Sequence, residues 1–127
     1  MPIMNENEKI KLVDAWILAQ ETEDDDAQAI TAMGDISQWE PELAWDLILR
    51  IHAKPISEEV REMLVASPLE DLLVYHGAVV FPRVKEVAHR DPVFREMLKG
   101  VWLDVKVSPI WREFYELAGI APPGKGK

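Results

Sequence analysis

Apolar residues recur along this chain three and four positions apart, and almost nowhere in strict alternation. Ile10, Val13 and Ile17, flanked by Leu12, Trp16 and Ala19, make the stripe of an amphipathic helix over 7–20. Glu6 and Glu8 stand near its start, where the helix macrodipole favours negative charge. After the acidic run at 21–26, whose last residues can cap a second helix, Ala27, Ile30 and Met33 resume the pattern. Gly34 is expected to weaken or end that helix, because glycine inside one costs about 1 kcal/mol relative to alanine.

A repeated device then punctuates the chain. Glu40-Pro41, Ser67-Pro68, Asp91-Pro92 and Ser108-Pro109 each put proline at the head of an apolar-periodic segment. Proline is tolerated at a first helical position, where its missing N–H would lack an intrahelical acceptor anyway. Ser67 and Glu70 have capping-box spacing, and Asp91 and Ser108 are good N-cap types. The segments that follow carry Leu43, Leu47, Ile48 and Ile51; then Leu69, Leu72 and Leu73; then Phe94, Met97, Leu98 and Val101; then Ile110, Trp111, Phe114 and Leu117.

Between them, Ser57 with Glu58 and Glu59 opens a short helix through Val60, Met63 and Leu64, and 78–89 forms another through Val80, Val84 and Val87. Pro82 lies near the start of the latter, and a helix beginning only at Arg83 is the alternative. Gly77 and Gly119 fall where a helix commonly ends in a left-handed residue. Only 103–107 alternates strictly, and five residues without a partner strand make a connector. The pattern predicts an all-α domain over 7–119, an irregular bundle or short stack of about seven to eight short helices, with a flexible C-terminal tail at 120–127. The X-Pro starts are 27, 24 and 17 residues apart, shorter and less regular than helical solenoid repeats, which favours the bundle.

Composition narrows the function classes. At 127 residues and 48% hydrophobic the chain can bury one core. The net charge of −9 opposes a phosphate-binding surface, so neither nucleic acid nor an anionic membrane is an expected partner. An acidic surface suits a basic partner, or simply solubility. With no cysteine there is no disulfide, thiolate nucleophile or zinc–thiolate site, and the cytoplasm is the expected compartment. No basic region leads into an apolar run near Met1, and no segment approaches eighteen uninterrupted apolar residues, so neither a signal peptide nor a membrane span is expected.

The histidines His52, His76 and His89 are the side chains able to titrate near neutrality. Glu86 and His89 form a single Glu-x-x-His step, whereas di-iron bundles need two plus further carboxylates; His89 reads as a residue placed at a helix C-terminal dipole. His76, just before Gly77, reads as a helix-end residue donating to free carbonyls. The acidic cluster at 24–26 lacks the alternation and turn glycine of a calcium loop. No phosphate-cradling glycine loop or nucleophile elbow is present, and no cofactor or metal is expected.

Five tryptophans are many for this length. Trp16 and Trp111 sit on apolar stripes and are expected in the core. Trp45 stands off the middle of the Leu47–Ile48–Ile51 face, and with Trp39 it is the candidate contact patch, against the plainer reading of tryptophans flanking the core.

The landmarks Leu12-Val13-Asp14-Ala15-Trp16, Pro41-Glu42-Leu43-Ala44-Trp45, Pro68-Leu69-Glu70-Asp71-Leu72-Leu73 with His76-Gly77, and Asp91-Pro92 leading to Gly100-Val101-Trp102 together resemble a family of small bacterial helical proteins classed as a domain of unknown function. The resemblance spans roughly 9–119 and implies a bacterial, cytoplasmic, all-helical protein with no established activity, so it carries over no catalytic residues. Asp104-Val105-Lys106-Val107 departs from the more polar linker expected after the Gly-Val-Trp landmark. A non-enzymatic protein-interaction module, adaptor, regulatory or immunity-type, is the leading expectation. Its rivals are self-association and a small enzyme in which His76 or His89 meets a carboxylate on another helix.

Overall fold

The computed structural model describes residues 4–22, 27–101 and 110–119, and among them it is all helical, with no strand. The first helix, α1 (Glu6–Thr22), opens with a reciprocal capping box: Asn5 Oδ1 accepts from the Glu8 N–H and Glu8 Oε1 from the Asn5 N–H, each at 2.8 Å. Its buried face is Val13, Trp16 and Ala19. The expected stripe is thus rotated about the Trp16 anchor, which leaves Ile10 exposed. Helix α2 (Ala27–Trp39) runs on through Gly34 rather than ending there, because Ala29, Met33 and Ile36 bury one continuous face across it.

Helix α3 (Pro41–His52) is the hub. Pro41 occupies its first turn as expected, although Glu40 makes no side-chain cap. Ala44, Trp45, Leu47, Ile48 and Ile51 are all buried, a face wide enough to pack against α1, α2 and the two helices that follow. Helix α4 (Glu58–Leu64) begins where Ser57 Oγ accepts from the Val60 N–H at 3.2 Å.

The Ser67-Pro68 step does not start a helix. Instead α4 passes through a π turn (Val65–Leu69) into α5 (Glu70–Arg90), forming one rod over Glu58–Arg90. In a regular α-helix the Pro68 ring would press on the carbonyl four residues back; the wider turn makes room for it without breaking the rod. Ser67 therefore makes no capping box. The break expected at His76-Gly77 is present in another form: at His76 a φ of −137° and a ψ of 29° leave the helical region, so α5 is two helical stretches joined across a kink, although Gly77 does not take a left-handed φ. Pro82 is carried inside α5 at the cost of one helical hydrogen bond. The rod is long and apolar enough by composition to cross a bilayer, but half of its most apolar window is buried against neighbouring helices.

Asp91 caps α6 (Pro92–Met97), its Oδ1 accepting from the N–H groups of Val93 and Phe94, and a 3₁₀ turn (Leu98–Gly100) follows. Helix α7 (Trp111–Ala118) ends as expected at Gly119, which takes a left-handed φ of 77°. Arg95 Nε donates to the Leu117 carbonyl at 2.9 Å and ties this end to α6. The acidic residues 23–26, the Ser108-Pro109 start, the 103–107 connector, Trp102, the Trp111 side chain and the 120–127 tail lie outside the described residues.

Candidate functional site

Two walls face each other across a groove of about 680 Å³. Glu58, Arg61 and Glu62 of α4, with Val65 and Ala66 of the π turn, form one; Pro92, Val93, Glu96 and Met97 of α6, with Gly100, form the other. A relay of side chains joins the middle of α4 to the N-terminal end of α6. Arg61 Nη1 donates to His52 Nδ1 at 2.8 Å, and His52 Nε2 lies 2.9 Å from Asp91 Oδ2. Just past their C-terminal ends the walls are joined by close approach: a Cβ on Gly100 would meet Val65 Cγ1 at 3.1 Å.

The relay fixes its own proton. A guanidinium is always charged and only donates, so His52 Nδ1 must carry the lone pair. The ring is then neutral, with its proton on Nε2 donated to Asp91. The Phe94 ring packs edge-on to the imidazole, with centroids 5.4 Å apart. Asp91 thus serves two elements at once, capping α6 with Oδ1 and holding α3 through His52 with Oδ2. The His52 N–H, helped by the Phe94 and Val93 N–H groups, holds the Asp91 carboxyl below its ordinary range against partial desolvation.

The other histidines hold no carboxylate among the described residues. His76 Nε2 donates to the Gln38 carbonyl at 2.6 Å, satisfying a free acceptor at the end of α2 from across the fold. His89 is exposed in the last turn of α5, where Glu86 pairs with Arg90 at 3.4 Å. Among the described residues no group of three metal-ligating side chains occurs. The histidine–carboxylate contact falls at His52, which the sequence marked only as titratable. Asp91 was legible as a cap, but nothing in the linear pattern ties it to a residue 39 positions earlier.

The two candidate contact tryptophans part company. Trp45 is 7% exposed and packs edge-on against Phe94, centroids 5.9 Å apart, because α3 is enclosed over most of its circumference. It is a core residue, and the structure does not bring it to the surface with Trp39. Trp39, the last residue of α2, is 68% exposed. It stands next to Gln38, whose carbonyl receives His76, so it flanks the bend of α5 where Tyr75 and Val79 are also exposed. Four residues beyond Val79, Arg83 makes a bidentate pair with Glu42 of α3. Exposed Trp39, Tyr75 and Val79 thus lie close in sequence to the groups that join α2, α3 and α5, a grouping that periodicity alone had not assembled because three prolines separate Trp39 from Tyr75.

Ion pairs use much of the basic complement elsewhere. Arg50 bridges Glu6 and Asp46, and Lys9 reaches Asp46 at 2.9 Å, fastening the start of α1 to α3. Lys54 pairs with Asp14 at 3.1 Å.

The model of a family of unknown function, DUF6869, matches residues 18–118. No curated protein and no solved structure matches.

Proposed function

The chain belongs to the DUF6869 family, a family of unknown function, and we propose that it is a non-enzymatic, cytoplasmic protein-interaction module that engages a protein partner through Trp39. The observation that carries this reading is Trp39 itself, 68% exposed in a fold that buries Trp16 and Trp45. A large indole left in water forgoes the stabilisation its burial would bring, and tryptophan and tyrosine are the side chains that dominate binding energy at interfaces. Its end of α2 sits on a fixed frame, since His76–Gln38 ties it to α5 and Arg83–Glu42 ties α5 to α3. Preorganisation of this kind lowers the cost of association.

The enzyme reading has less support. An acid–base histidine needs one ring nitrogen free for substrate, and both nitrogens of His52 are engaged. His76 spends its donor on a backbone carbonyl.

A photo-reactive phenylalanine analogue placed at position 39 and irradiated in the cells of origin tests the proposal. A discrete adduct to one protein, or to a second copy of this chain, is expected, and the same analogue at exposed Glu59 should give none. Equal, diffuse labelling from both positions would overturn it.

A further inference from the structure

We propose that the groove between α4 and α6 is a binding site for a small organic cation, a ligand with an apolar body and an ammonium or amidinium group. This goes beyond the partner surface at Trp39 and does not depend on it.

The first argument is shape. The walls are short, seven residues of α4 and six of α6, and they are tied at two points. Arg61–His52–Asp91 joins the middle of α4 to the start of α6, and Gly100 closes on Val65 just past their ends. The result is a short, half-open groove. Its volume of about 680 Å³ lies in the range of small-molecule sites.

The second argument is chemistry. Val65, Ala66, Val93 and Met97 offer hydrocarbon, and Val93 is left 55% exposed in the free protein. Around them stand three carboxylates, Glu58, Glu62 and Glu96, against one guanidinium. Glu58 and Glu62 form no ion pair among the described residues, and Glu96 has only an exposed contact with Lys99 at 3.1 Å. Arg61 lines the groove as well, but its Nη1 is engaged by His52 and it forms no ion pair with these carboxylates. The groove therefore presents an apolar floor beneath a negative potential on a chain of net charge −9. An anionic ligand would meet that field unfavourably, and a neutral one would leave it unused.

Three isosteric probes separate these cases: cyclohexylmethylamine, cyclohexylmethanol and cyclohexanecarboxylate, each titrated into the full chain and followed by amide NMR shifts. The amine is expected to saturate with shifts centred on Ala66, Val93 and Met97, at least about tenfold tighter than the carboxylate, and to weaken with added salt. Glu62→Gln with Glu96→Gln should bring amine and alcohol together, and Ala66→Trp, at an exposed position on the groove wall, should abolish both. Unchanged thermal unfolding of these variants would confirm that the fold survives. Equal binding of amine and carboxylate, shifts that persist in Ala66→Trp, or no saturable shift at all would each overturn the proposal. None of these outcomes bears on the crosslink from position 39, so the two readings stand or fall separately.

Discussion

Asp91 carries more of this structure than any residue its size would suggest, because each of its carboxylate oxygens holds a different helix. Asp91→Ala removes a helix cap and leaves the His52 N–H without its acceptor; a loss of about 1.5–3 kcal/mol in urea unfolding is expected. The pH dependence follows from the lowered pKa. A carboxyl depressed in the folded state stabilises fully above its unfolded value near 4, and that contribution is lost as pH falls through the folded value. Asp91→Asn, which can still cap, should therefore be less stable than the parent at pH 7, with the difference shrinking below pH about 4. Ser37 gives the opposite expectation. Its hydroxyl is fully buried with no hydrogen-bond partner among the described residues, so Ser37→Ala should leave the melting temperature unchanged or raise it. At this scale the sequence was half legible. Asp91 announced itself as a cap, while the His52 partnership and the orphaned Ser37 hydroxyl depend on how distant helices meet.

Helices were read from the sequence more reliably than the points where they begin and end. The starts at Pro41, Ser57 and Pro92 and the stop at Gly119 are all present, since each depends on local chemistry that no neighbour needs to supply. The start assigned to Pro68 and the end assigned to Gly34 are not, because tertiary burial of Met33, Ile36, Leu69 and Leu72 offsets an internal breaker, while the break expected at His76-Gly77 is present as a kink inside α5. A true capping box at Asn5 and Glu8 went unread while one at Ser67 and Glu70 was expected. Chemical denaturation distinguishes them: Asn5→Ala should cost about 1 kcal/mol and Ser67→Ala less than about 0.5 kcal/mol. Gly34 faces open space inside a continuous helix, so Gly34→Ala should add about 1 kcal/mol. A loss instead would mean that α2 breaks there in solution.

For the whole molecule, periodicity and composition were enough to define an acidic, all-helical fold, and the irregular bundle they favoured is organised around α3. The candidate site was legible only in part. Trp39 was identifiable as a candidate contact residue, but the link between its end of α2 and the stretch of α5 that holds exposed Tyr75 and Val79 is the His76–Gln38 bond, which the linear pattern does not show. Trp45 was misplaced because its offset from one apolar stripe could not reveal that helices surround α3 on several sides. What the fold presents is an exposed indole at a tied helix end, which is the basis for reading this chain as an interaction module. The most direct measurement is the affinity of the protein captured from position 39 for the parent chain and for Trp39→Ala, with thermal unfolding of both recorded alongside. A loss of at least about 2 kcal/mol, near thirtyfold in Kd, with an unchanged melting temperature is expected. Affinities within threefold of each other would contradict the assignment of Trp39 as the contact that matters.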